Sequence, residues 1–205
     1  MQKHLTEFIG TFFLVLGIGL TGNELYIGLL LAALIYIGSR HSGAHFNPAV
    51  SFAFFVTNKL SIKELIGYIT AQITGAFTAS ALIFQISDYA FYTQPPELTT
   101  LDQHIIIEIL MTFILASVYL TMFLSKAFRR NHVSGLVIGL YYTALIGIGQ
   151  PISGAVYNPA LSIGSAAFDL IDGGNSFYNI PLYFLAPVTG GIFAGIFYNF
   201  MSRDD

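Results

Sequence analysis

No cysteine occurs in this sequence, which removes disulfides, covalent haem attachment and thiolate metal sites together. Tryptophan is absent as well, so tyrosine and phenylalanine must supply any aromatic belt at a membrane surface. Charge is scarce. Asp, Glu, Lys and Arg make up 9% of the 205 residues and hydrophobic residues 55%, whereas a soluble domain carries about 25% charged residues. The chain is therefore read as an integral membrane protein rather than a very apolar soluble domain. No nucleophile–base set and no metal-ligand cluster is visible. An enzyme, a cofactor and a metal are not expected, nor is a nucleic-acid partner.

What the sequence does have is apolar runs. Six lie near the ~20 residues that a bilayer requires: Leu5–Leu20, Leu25–Gly38, Leu65–Ile86, Ile105–Leu124, Val133–Gly149 and Ile180–Met201. Two more, Pro48–Val56 and Pro159–Phe168, are about half that length and are read as re-entrant half-helices. Lys3 before the run Phe8–Leu20 has the look of a signal peptide. Glu7 interrupts that pattern, no small-x-small cleavage site follows, and the segment has a partner later in the chain.

With the N-terminus placed in the cytoplasm, Lys3, Arg40, Lys59, Lys63, Lys126, Arg129, Arg130 and Arg203, which are all the Lys and Arg of the chain, fall on that side. The opposite loops hold Glu24, Asp88, Glu97, Asp102, Asp169 and Asp172 and no basic residue. This is the positive-inside pattern, with both termini cytoplasmic. Short loops suggest a microbial plasma (inner) membrane.

The chain also repeats itself. Ser42-Gly-Ala-His-Phe-Asn-Pro-Ala-Val-Ser51 reads against Ser153-Gly-Ala-Val-Tyr-Asn-Pro-Ala-Leu-Ser162. Glu7-Phe-Ile-Gly-Thr-Phe12 reads against Glu108-Ile-Leu-Met-Thr-Phe113, and Ala71-Gln-Ile-Thr-Gly75 against Ala186-Pro-Val-Thr-Gly190. The offsets are 101, 111 and 115 residues, a drift that loop insertions explain. Halves of about 1–86 and 103–205, joined by an external loop 87–102, each hold three spans, so the second half must be inverted. Inverted repeats put functional sites at the midplane, where broken helices meet.

Asn is a favoured helix N-cap and Pro a favoured first helical residue. Asn47-Pro48-Ala49 and Asn158-Pro159-Ala160 thus each read as a helix start, and inversion turns the two starts toward each other. Each N-terminus carries about half a positive charge, and the Asn amides can donate hydrogen bonds into the gap. The stretches before them, Gly43–Phe46 and Gly154–Tyr157, cannot be helical. The carbonyls of Gly43, Ala44, His45, Gly154, Ala155 and Val156 are expected to line a water-filled track, where such backbone is tolerated.

These motifs resemble those of the aquaporin and glycerol-facilitator (major intrinsic protein) family, over the whole chain. The resemblance implies an all-α membrane fold of six transmembrane helices plus two re-entrant half-helices, usually assembled as a homotetramer with a pore in every subunit. It implies that Glu7 and Glu108 accept hydrogen bonds from the re-entrant loops; a proton relay is the other reading of carboxylates inside spans. The departures are informative. Typical members carry Arg directly after the second Asn-Pro-Ala, and here Leu161 stands there. Water-selective members carry His twelve residues before the second motif's Asn, and here that is Ile146. The remaining filter positions fall at Ile27 and Ala155. The expected outer constriction, Ile27, Ile146, Ala155 and Leu161, has no side-chain donor and no charge. A ring of that kind can act as a dewetting gate.

The sequence therefore predicts a passive channel for water or small uncharged solutes. A secondary transporter and a non-conducting membrane protein are the alternatives. His45 lacks partners at metal spacing and is read as a pore-side or buttressing group. Gln150 is read as a polar group at the outer mouth or as a cap of the fifth span. Glycine pairs Gly135/Gly139 and Gly191/Gly195 are read as close helix packing, and most Tyr and Phe as core or lipid-facing.

Overall fold

A computed structural model describes residues 1–128 and 132–202. Arg129, Arg130 and Arg203, three of the basic residues that orient the chain, lie outside the described residues. Among the described residues the α-helices are α1 (Gln2–Thr21), α2 (Glu24–Ser42), α3 (Pro48–Val56), α4 (Ile62–Ser87), α5 (Leu101–Leu124), α6 (Ser134–Ser153), α7 (Pro159–Ile171) and α8 (Ile180–Met201). A 3₁₀ turn, Ser176–Asn179, leads into α8. By length and composition α1, α2, α4, α5, α6 and α8 are each long and apolar enough to cross a bilayer. The 9 residues of α3 and 13 of α7 reach only about 14 and 20 Å at 1.5 Å per residue. A hydrocarbon core is roughly 30 Å thick.

Caps explain most helix starts. Asn23 Oδ1 accepts from Tyr26 N ahead of α2. Ser61–Glu64 and Thr100–Gln103 form reciprocal capping boxes at α4 and α5. Polar residues also carry helices further than the apolar runs do. α2 continues past Gly38 to Ser42, with Arg40 in its last turn beside the carbonyl end of the helix. α7 continues past Phe168 because Asp169 is not a solvated stop. It is buried, and its Oδ2 accepts from Ser176 N at 2.9 Å.

Packing pairs α1 with α4 and α2, and α5 with α8 and α6; α2 crosses α6. The short helices lie between: α3 chiefly against α8, α7 chiefly against α4, with their starts touching. Where α2 crosses α6 the backbones nearly meet. A Cβ on Gly28 would stand 2.4 Å from Gly139 O, and one on Gly139 would stand 2.3 Å from Gly28 O. Outward, every span presents large apolar side chains: Ile9, Leu29, Ile66, Leu110, Leu140 and Phe193 are exposed. Such a surface calls for lipid or a packed neighbour rather than water. The chain is thus an all-α integral membrane protein of six spans and two helices that stop partway.

Candidate functional site

Both repeated motifs fold alike. Gly43, Ala44 and Phe46 have φ of 90°, 53° and 50°, and Gly154, Ala155 and Tyr157 have 83°, 53° and 48°. Left-handed backbone costs a non-glycine residue roughly 1–2 kcal/mol, so four such residues need compensation.

Two buried carboxylates supply it. Glu7 Oε1 accepts from Ser42 Oγ at 2.6 Å and His45 N at 3.0 Å, and Oε2 from Phe46 N at 2.7 Å and Gln72 Nε2 at 2.8 Å. Glu108 repeats the arrangement with Ser153 Oγ at 2.7 Å, Val156 N at 2.9 Å and Tyr157 N at 2.8 Å. Hydrogen bonds contribute about 0.5–1.5 kcal/mol each, so three or four converging on each carboxyl help to hold the strained turns. Two tyrosines brace the same loops: Tyr68 Oη donates to Ser42 O at 2.6 Å and Tyr183 Oη to Ser153 O at 2.5 Å. The two carboxyl groups differ in their fourth bond, since Gln72 is matched by Pro187, which has no amide to offer Glu108.

Asn47 and Asn158 cap α3 and α7. Each Oδ1 accepts from the backbone two residues on, Ala49 N at 2.8 Å and Ala160 N at 3.1 Å. Each Nδ2 reaches across to the other loop: Asn47 to Tyr157 O at 2.8 Å, Asn158 to Phe46 O at 2.9 Å. The two helix starts are therefore latched together. One amide N–H of each Asn is consumed by the latch, leaving one each for the adjoining space. Phe46 O and Tyr157 O, next in line after the carbonyls expected to form the tracks, are taken by this latch. No described group bonds the carbonyls of Gly43, Ala44, His45, Gly154, Ala155 or Val156.

Beside the latch is a void of about 10 Å³ lined by His45, Asn47, Asn158, Tyr119 and Tyr142, with leucines 14, 31 and 115. That is room for about one water. A chamber of about 220 Å³ opens on the other side of Tyr142. Ile27, Ile146, Ala155 and Leu161 all line it, together with Val156, Gly154 and Gln150. Gln150 is within α6 rather than at its end, since that helix runs through Pro151 to Ser153.

Sequence reasoning missed two parts of the site. One is the segment Phe91–Gln94, which folds back over the chamber. Tyr89 Oη donates to Gly19 O, Asn179 Nδ2 to Thr93 O and Thr99 Oγ1 to Ile152 O, tying the loop to α1, the turn before α8 and α6. Loops of mixed composition carry no periodic signal, so nothing in the sequence marked it. The other is the tyrosine set. Tyr68 and Tyr183 stand three residues before Ala71 and Ala186, in register with the repeat; extending that alignment would have found them. Of the histidines near the inner end, His41 is exposed on the last turn of α2, while His45 is buried with Nδ1 3.1 Å from Ser51 Oγ. Among the described residues no group of three His, Cys, Asp or Glu side chains is placed to hold a metal ion.

The same architecture is found in known proteins. The chain is 34% identical over 221 residues to the glycerol uptake facilitator protein-like 6 of Lactiplantibacillus plantarum, covering 100% of both chains. It is 29% identical over 231 residues to aquaporin Z of Rhodopseudomonas palustris, covering 99% of this chain and 94% of that one. The solved aquaglyceroporin of Plasmodium falciparum has a similar fold, with a TM-score of 0.83 at 27% identity over 97% of this chain and 95% of that one. Residues 1–198 match the family described as major intrinsic protein, and the chain belongs to that family.

Proposed function

We propose that the chain is a passive channel for water and small uncharged solutes whose outer constriction is Ile27, Ile146, Ala155 and Leu161. The observation that carries this reading is the latch of Asn47 and Asn158, at 2.8 and 2.9 Å, beside a void no larger than about one water. Two helix N-termini there present about half a positive charge each. A cation that must shed its hydration shell at that point meets repulsion. A neutral molecule meets six unpaired carbonyls and two amide N–H groups with which to exchange hydrogen bonds.

Glu7 and Glu108 act as supports that hold the two loops in their strained conformation. The segments 1–86 and 103–205 act as inverted halves of one channel domain, joined outside by 87–102. The assembly is a homotetramer in the lipid of a microbial plasma (inner) membrane, with both termini cytoplasmic. Support for glycerol as one solute comes from the names of the similar facilitator and aquaglyceroporin. Support for restricted water flow comes from the four apolar side chains, which offer a permeant molecule no hydrogen bond.

Stopped-flow light scattering of proteoliposomes under water, glycerol and urea gradients tests this. The expected result is slow water flow with glycerol flux rising linearly with concentration. Fast water flow with strict glycerol rejection overturns the apolar constriction. Saturable flux coupled to an ion gradient means a secondary transporter, and no flux from folded protein means a non-conducting one; either overturns the channel.

A further inference from the structure

The four side chains of the outer constriction are apolar, yet a polar solute must pass from the chamber to the Asn latch. One residue joins the two spaces. Of the side chains around the 220 Å³ chamber and the 10 Å³ waist, Tyr142 alone lines both. It projects from α6 one turn before Ile146, so its ring lies between the constriction and the latch.

Its hydroxyl, like that of Tyr119 in the waist, differs from those of the other buried tyrosines, and only Tyr142 also reaches the chamber. Tyr68, Tyr157 and Tyr183 each donate to a backbone carbonyl. Tyr142 is 2% exposed, and its hydroxyl bonds no described group. Nor is that oxygen among the sealed polar atoms that lack a partner, a set that includes Thr11 Oγ1, Thr112 Oγ1 and Ser162 Oγ. The hydroxyl therefore opens onto the conduit, and whatever moves through the conduit is the partner available to it. The repeat sharpens the point. At the offset of 111 residues the counterpart of Tyr142 is Leu31, which also lines the waist but offers no hydrogen bond. A tyrosine thus occupies the outer of two equivalent positions, the one that adjoins the apolar ring.

We propose that Tyr142 is the specificity-determining residue of the conduit. Its hydroxyl receives the solute's hydrogen bond as the solute leaves the apolar ring, and its ring sets the width of the neck. This rests on the channel reading above and deepens it. A permeant that has surrendered its hydration at Ile27, Ile146 and Leu161 regains one bond at Tyr142 before reaching the amides of Asn47 and Asn158. Solutes with hydroxyl or amide groups small enough to pass the ring edge are favoured; neutral solutes without such groups gain nothing there.

Two variants reconstituted in proteoliposomes separate the two roles, with protein per vesicle and oligomeric state matched to the parent. Tyr142→Phe keeps the ring and removes the hydroxyl. Loss of one hydrogen bond corresponds to about a fivefold change, so water and glycerol permeability are each expected to fall about that much, with a steeper temperature dependence of flux. Tyr142→Ala removes the ring and is expected to raise the ratio of glycerol to water permeability. Tyr142→Phe fluxes equal to the parent for both solutes overturn the role of the hydroxyl. An unchanged glycerol-to-water ratio in Tyr142→Ala overturns the role of the ring. A parent protein that passes neither solute overturns the channel reading and this inference with it, an outcome distinct from a conducting parent whose variants conduct identically.

Discussion

Glu7 receives four donors and Glu108 three, all inside the protein. Replacing either by alanine strands those donors, and an unpaired buried donor costs about 1–3 kcal/mol. Glu7→Ala and Glu108→Ala are therefore both expected to lose several kcal/mol of stability, Glu7→Ala the more, because it also leaves Gln72 Nε2 with its bond to Ser51 Oγ alone. Thermal unfolding of the detergent-solubilised variants checks the order; a Glu7→Ala protein as stable as the parent would remove the carboxylate from its supporting role. These two acids were legible in the sequence because an ionisable residue inside an apolar run stands out. Tyr142 was not. A tyrosine in an apolar span reads as core or lipid-facing, and only the cavity on either side of it says otherwise.

The short helices were more legible than the long ones. Pro48–Val56 appears in the structure with the bounds that Asn47, Pro48 and the length of the apolar run imply. The spans were read too short wherever polar residues belong to a helix. Ser61 and Glu64, or Thr100 and Gln103, begin helices by capping rather than by hydropathy. Glycine spacing signalled close packing but not the partner. Gly191 faces α3: a Cβ there would lie 2.2 Å from Ala49 O, two residues from Asn47. Since that contact is backbone, Gly191→Ala must push α3 off α8 and disturb the latch. It is expected to lower both thermal stability and solute flux. Gly147→Ala, with nothing within 4 Å of the added carbon, is expected to leave both unchanged. Equal behaviour of the two variants would mean that the α3–α8 contact does not govern the site.

At the scale of the whole molecule, the proposed orientation rests on charge. Among the described residues Lys59 lies in the connection between α3 and α4, while Leu98, 99% exposed, lies in the connection between α4 and α5. The positive-inside reading puts these on opposite faces of the membrane. The absence of native cysteine makes the check clean. A membrane-impermeant thiol reagent applied to intact cells is expected to label Leu98→Cys and to spare Lys59→Cys; the reverse pattern inverts the proposed topology.

The bonds from Asn47 to Tyr157 and from Asn158 to Phe46 span 110 and 112 residues of chain. Contacts between such distant points form late. During synthesis the first asparagine must wait, its strained turn held by Glu7 and Tyr68 of its own half, until well over half of the protein has left the ribosome. Completion of the passage is thus deferred nearly to the end of translation, so a truncated product carries an unfinished path rather than a leak.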